Sequence, residues 1–163
     1  MRTRALGRSG LQVSEVSLGS WLTLGTRVDY TESARLVQRA FDLGINLFDT
    51  ADVYQDGEAE RAPGRAIAEP PRRHPVLATK CFFPMSASPN DRSLSRQHIV
   101  ASVQGSLKRL GTIYLDLHQS HRFDPATPLE ETLRAYEDLI RHGKPPHFGV
   151  PNFTRAQHGK PVA

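Results

Sequence analysis

The chain of 163 residues, with 38% hydrophobic residues, 12 Gly and 12 Pro, has the size of one domain and a composition too apolar for a disordered chain. Its one cysteine excludes an internal disulfide, and Cys81 has no Cys or His at metal-finger spacing. The charge of +4 is mostly arginine, but the arginines are dispersed (Arg72-Arg73 is the only adjacent pair) and no basic run is interleaved with aromatics, which speaks against nucleic acid as a partner.

Arg2 to Val16 predicts an N-terminal hairpin over residues 1–16, two short strands around the turn Gly7-Arg8-Ser9-Gly10. After it one pattern recurs: a short apolar run, a polar residue, a loop, then a helical stripe. The runs are Val16–Leu18, Ile45–Phe48, Val76–Ala78, Ile113–Leu117 and Phe148–Val150. Without polar alternation they suit strands buried on both faces, as in parallel sheets. Between the first two runs, Thr31–Leu43 carries Ala34, Leu36, Val37, Ala40 and Phe41 at helical spacing, with Asp29 and Glu32 placed as a capping box and Gly44 as a stop. Gly57–Glu69 is less regular because Pro63 falls inside it. Ser95 opens a helix bearing Ile99, Val103, Leu107 and Leu110, closed by Gly111. Thr127-Pro128-Leu129-Glu130 reads as a capping box with Pro at the first helical position, followed by Leu133, Tyr136, Leu139 and Ile140. Strands alternating with helices in this way make βαβ units and a parallel sheet. No stretch approaches the ~18 apolar residues of a membrane helix, and no signal peptide is evident, so a cytoplasmic protein without a membrane partner is expected.

The polar residues closing the runs are Gly19, Asp49, Lys80, His121 and Asn152, spaced by 30, 31, 41 and 31 residues. A (β/α)8 barrel takes about 31 residues per unit and builds its active site at the C-terminal ends of its strands. Each polar residue alone could serve loop backbone; Asp49, Lys80, His121 and Asn152 in phase point to one shared mouth. Tyr54, five residues beyond Asp49, reaches that mouth from the following loop. A free tyrosine, with pKa about 10, is a poor acid at neutral pH, and a neighbouring Lys80 ammonium is expected to lower its pKa and make it a proton donor. Asp49 would orient Lys80, and His121 would hydrogen-bond a carbonyl oxygen or relay the proton. Such a group polarises and protonates a carbonyl; because no side chain donates hydride, reduction requires a nicotinamide cofactor. His118 and His121, three apart in a strand-like stretch, point to opposite faces, and no metal site is expected. Cys81 reads as a buried thiol or a redox-sensitive one, and Trp21 as a cofactor shield or a core or loop aromatic.

Longer stretches carry a resemblance. Leu6-Gly7-Arg8-Ser9-Gly10-Leu11, Gly44-Ile45-Asn46-Leu47-Phe48-Asp49-Thr50-Ala51, Ala78-Thr79-Lys80, Ser106-Leu107-Lys108-Arg109-Leu110, Asp116-Leu117 through His121 and Glu130-Glu131-Thr132-Leu133 resemble the aldo-keto reductases. Ser17-Leu18-Gly19-Ser20-Trp21 and Leu94-Ser95-Arg96-Gln97-His98-Ile99 look like the bacterial branch related to potassium-channel β subunits. The resemblance implies a (β/α)8 TIM barrel, NADPH as cofactor, a small-molecule aldehyde or ketone as substrate, and a tetrad of Asp49, Tyr54, Lys80 and His121 with Tyr54 as proton donor. It places Ser20, Trp21, Asp49 and Asn152 at the nicotinamide end of the cofactor. The chain departs from the family pattern at Gln55 (usually Gly), Pro63 (usually Leu), Pro145-Pro146 and Pro151 (usually Ser). It also covers only about five βα units, so a truncated barrel with open edges on its first and fifth strands, prone to self-association, is expected. Three readings follow: an NADPH-dependent carbonyl reductase, an inactive fragment with weak or no cofactor binding, and an auxiliary redox-sensing subunit like the channel β subunits.

Overall fold

A computed structural model describes residues 1–67, 75–150, 152–154 and 157; Arg72, Arg73 and Pro151 lie outside these. The N-terminal hairpin pairs β1 (Thr3–Ala5) antiparallel with β2 (Gln12–Ser14). Asn46 fastens it. Its Oδ1 accepts from the Ser14 amide at 2.7 Å and its Nδ2 donates to the Gln12 carbonyl at 3.1 Å. Because Asn46 immediately precedes a strand of the main sheet, the hairpin sits at the N-terminal end of that sheet, away from the mouth.

The main sheet has five parallel strands in chain order: β3 (Ser17–Gly19), β4 (Leu47–Asp49), β5 (Val76–Cys81), β6 (Leu117–Ser120) and β7 (His147–Gly149). Sequential strand order, with each helix packed on the next, puts α1 (Tyr30–Asp42), α2 (Glu58–Ala66), α3 (Arg96–Leu110) and α4 (Leu129–Arg141) on one face of the sheet. Val37, Phe48, Leu77, Ile99, Val103, Leu110 and Tyr136 fill the layer between them. The outer edges of β3 and β7 have no strand partner among the described residues.

The expected strand order holds, but β6 begins where its apolar run ends. Ile113 is 81% exposed, and the strand is the polar-looking Leu117-His118-Gln119-Ser120. His118 and Ser120 are fully buried and turned to α4, where the Tyr136 hydroxyl lies 3.1 Å from His118 Nδ1 and 3.4 Å from Ser120 Oγ. A strand satisfied by a polar partner on its helix carries no apolar signature.

Two helix starts follow the capping chemistry. Asp29 accepts from the Glu32 amide at 2.8 Å and Ser95 Oγ from the His98 amide at 3.3 Å. The third does not: Pro128 is the N-cap residue of α4, without a side-chain cap. Thr127 is drawn away, donating its hydroxyl to Asp124 at 2.7 Å. Asp124 also takes the Leu94 and Ala126 amides, at 2.8 and 2.9 Å, and thereby ties the β5–α3 loop to the β6–α4 loop.

Helix α2 runs through Pro63 unbroken. A proline there removes the bond to the carbonyl four residues back, Ala59, at a usual cost of about 3 kcal/mol. That carbonyl is instead served by the Thr50 hydroxyl at 3.3 Å, which offsets part of the loss. One residue on, a Cβ at Gly64 would stand 2.8 Å from Leu110 Cα, so α2 and α3 approach here more closely than a side chain permits.

Candidate active site

The register explains how two strands deliver an ion pair to one place. Asp49 closes β4 opposite Ala78, and Lys80 stands two residues further along β5, on the same face of the pleat. Its ammonium reaches back to Asp49 Oδ1 and Oδ2, both at 2.8 Å, and to the Thr50 carbonyl, also at 2.8 Å. All three of its protons are thus engaged within the protein.

Tyr54 begins a single 3-10 turn, Tyr54–Gly57, in which Gln55, Asp56 and Gly57 have φ of 53°, 54° and 88°. Left-handed backbone at two non-glycine residues costs roughly 1 kcal/mol or more each. At Gln55 that explains why a glycine is the easier residue there. Its side chain compensates: Nε2 donates to the Trp21 carbonyl at 2.6 Å and Oε1 accepts from the Thr26 hydroxyl. The β3–α1 loop is thereby strapped to the tyrosine turn by a contact that spans 34 residues of sequence and has no local signature.

The Tyr54 hydroxyl lies 3.4 Å from His121 Nε2, and its ring centroid 5.2 Å from Lys80 Nζ. Trp21, 61% exposed, stands 6.0 Å from the Tyr54 ring, and Phe83 stands edge-on to His121 at 5.1 Å. Asn152 Nδ2 donates to the His121 carbonyl at 3.1 Å. Trp21, Tyr54, Gln55, Phe83, His121, Arg122 and Asn152, with Val53, wall a cavity of about 480 Å³. Asp49 and Lys80 lie beneath it. Ser20 is not on its wall; its buried hydroxyl, without a hydrogen-bond partner among the described residues, borders a small void beside Asp49 and Thr50.

The electrostatics correct one expectation. Lys80 does not depress the Tyr54 pKa: burial, then Asp49, then Asp52 raise it above its ordinary value of 10.0. Burial disfavours the phenolate first, and the Asp49 carboxylate that pairs with Lys80 opposes it as well. Tyr54 therefore keeps its proton at neutral pH. Burial, with the Lys80 charge adding, lowers the pKa of His121, so its imidazole is neutral at neutral pH. Its Nδ1 is buried without a partner among the described residues, and we assign the proton to Nε2, which faces Tyr54.

Cys81 is fully buried and its thiol is pushed far up by burial, which favours an inert thiol over a redox-sensitive one. Trp21 is an exposed loop aromatic rather than a core one. Among the described residues no cluster of three or more His, Cys, Asp or Glu forms a metal-binding group, and no helix is long and apolar enough to cross a membrane.

Beneath the site lies a buried acid that sequence spacing does not single out. Asp52 is fully buried, accepting from Ser102 Oγ and from the Val53 amide, each at 2.7 Å. Burial pushes its carboxyl up to about 7, with Ser102 opposing and Glu60 adding. A folded-state value above the unfolded one means the folded chain binds the proton more tightly. The resulting stability is complete below about pH 4, falls as pH rises toward 7, and is lost above. Asp52→Asn removes the charge and keeps the Val53 amide bond on Oδ1, while its Nδ2 donates to a Ser102 hydroxyl that turns to accept. It is expected to exceed the parent in urea stability at about pH 8 by up to ~4 kcal/mol, the gap narrowing at about pH 5. An equal gap at both pH values would contradict a neutral-preferring Asp52.

Parallel βα units in chain order, with an Asp, a Tyr, a Lys and a His gathered at the C-terminal ends of the strands, make up part of a (β/α)8 barrel. The sequence profile of the aldo/keto reductase family matches residues 15–160, and the chain belongs to that family. It is 42% identical over 158 residues to a protein of Oryza sativa subsp. japonica named probable voltage-gated potassium channel subunit beta, covering 96% of this chain and 48% of the relative. A Schizosaccharomyces pombe protein, named putative voltage-gated potassium channel subunit beta, is 44% identical over 155 residues, covering 93% and 45%. Among solved structures, aldo-keto reductase AKR11C1 from Bacillus halodurans (holo form) superposes with a TM-score of 0.83 at 36% identity, over 94% of this chain and 51% of that one. The chain thus spans about half the length of the relatives it matches.

Proposed function

We propose that the site is the carbonyl-reducing site of an NADPH-dependent aldo-keto reductase, turning an aldehyde or ketone into an alcohol with Tyr54 as proton donor. The observation that carries this reading is the protonated Tyr54 hydroxyl 3.4 Å from a neutral His121, above the Lys80–Asp49 pair. The residues suit a nicotinamide: the cavity presents the exposed flat indole of Trp21 and the Asn152 side chain, and nearby the Ser20 hydroxyl has no partner among the described residues. When bound, that cofactor supplies the hydride for the carbonyl carbon.

The chain's own residues do the rest. Tyr54 O–H and His121 Nε2–H both address the carbonyl oxygen, polarising it and fixing its lone pairs. As that oxygen becomes an alkoxide, a far stronger base than phenolate, the proton passes to it from Tyr54 although the phenol's pKa is raised. The Lys80–Asp49 pair fixes the floor beneath the Tyr54 ring, and a proton from solvent reloads the phenolate left behind. Trp21 and Phe83 exclude water from the wall of the cavity. A cytoplasmic setting, with its reduced nicotinamide pool, fits the same proposal.

Trp21 is the only tryptophan in the chain and lies on the cavity, so its emission reports occupancy. Titration with NADPH is expected to quench it saturably at micromolar concentration; an unchanged spectrum would instead support a fragment that does not bind cofactor. The names of the plant and yeast relatives favour a second reading, an auxiliary subunit whose nicotinamide site senses redox state. Co-purification with a membrane channel would support it.

A further inference from the structure

We propose that the site selects carbonyl substrates bearing a carboxylate, which Arg122 holds. This rests on the reductase reading above. Arg122 directly follows His121 and lines the same cavity. Its guanidinium carbon lies 5.6 Å from the centroid of the Phe83 ring, whose other neighbour is the His121 imidazole at 5.1 Å. One aromatic ring therefore separates the group that addresses the carbonyl oxygen from an exposed cation. Arg122 has no carboxylate partner among the described residues, whereas Arg2, Arg96, Arg109 and Arg141 are each paired with one. No Asp or Glu lines the cavity, and the charges beneath it, Lys80 and Asp49, neutralise each other. Arg122 thus gives the wall its net charge, and it contributes to lowering the pKa of His121, so its field reaches the imidazole.

A guanidinium presents paired N–H donors that match a carboxylate in plane, and such charge-assisted bonds are about twice as strong as neutral ones. The Phe83 ring offers a surface for the part of the substrate that joins carbonyl to carboxylate. An aromatic or short unsaturated acid with the carbonyl at its far end has this shape.

The test compares 4-(hydroxymethyl)benzoate, the reduction product of 4-carboxybenzaldehyde, with its neutral methyl ester, by calorimetric titration of the full chain. The acid is expected to bind about tenfold or more tightly than the ester, a preference that weakens with salt. Arg122→Gln is expected to bring the ratio near one and Arg122→Lys to keep part of it; since the side chain is exposed, both variants are expected to unfold at the parent's temperature. Equal affinities in the parent, no binding of either compound, or a preference that survives Arg122→Gln would overturn the proposal. Reduction of the two corresponding aldehydes separates the two levels. Turnover without acid preference removes the Arg122 assignment and leaves the reductase standing; acid preference without turnover removes the reductase and leaves an anion subsite.

Discussion

Replacing Tyr54 by Phe is expected to lower kcat for aldehyde reduction by about 10²–10⁴-fold, the usual contribution of a positioned general acid. The change deletes one oxygen and keeps the ring, which packs 6.0 Å from Trp21 and 5.5 Å from His121, so the cavity retains its shape. KM is therefore expected to move far less than kcat, since the lost interaction matters most as charge develops on the carbonyl oxygen. The pH profile of the parent follows from the same geometry. With the Tyr54 pKa above 10.0, the donor stays loaded through the neutral range, and the rate is expected to fall only on the alkaline side of about pH 10. Steady-state kinetics check both statements; a Tyr54→Phe variant with parental kcat would assign the proton to another group.

The second large effect is on stability. Glu60 is fully buried in α2, accepting from Arg109 Nε and Thr79 Oγ1, both at 2.5 Å. Arg109 also donates to Ser106 Oγ at 3.3 Å. The network joins α2, β5 and α3 just behind the tyrosine turn. Two glycines make room for it: a Cβ at Gly57 would lie 2.5 Å from Arg109 Cδ, and one at Gly105 2.9 Å from Arg109 Nη1. Glu60→Ala strands a largely buried guanidinium and is expected to cost about 3–5 kcal/mol, a large part of the stability of a small domain. Urea unfolding reads this directly. The paired variant Glu60→Gln with Arg109→Met removes both charges and is expected to recover much of the loss, because the cost lies in the unpaired charge rather than in the absent pair. A Glu60→Ala variant within about 1 kcal/mol of the parent would contradict the network's role.

What the sequence carried and what it did not divides along physical lines. The order of the five strands was legible because buried parallel strands are short apolar runs separated by helical stripes. The start of β6 was not, since His118 and Ser120 are buried against a tyrosine and look like loop residues. Asp29 and Ser95 were recognisable caps because capping is local. Thr127 was misleading because its hydroxyl answers to Asp124 instead. The phase of Asp49, Lys80 and His121 brought three residues to one end of the sheet without knowledge of any contact. Their electrostatics depended on contact: burial of the Tyr54 hydroxyl near the Asp49 and Asp52 carboxylates is what keeps its proton in place. Asp52, Glu60 and Arg109 look like ordinary surface charges in sequence, and burial alone distinguishes them.

Transfer of deuterium tests the central proposal most directly. With NADPH carrying deuterium at the transferable position and benzaldehyde as substrate, the chain is expected to yield benzyl alcohol with one deuterium on its carbinol carbon. Tyr54→Phe is expected to reduce that yield to a small fraction. Unlabelled or absent alcohol from a folded parent chain that binds the cofactor would contradict hydride transfer at this site.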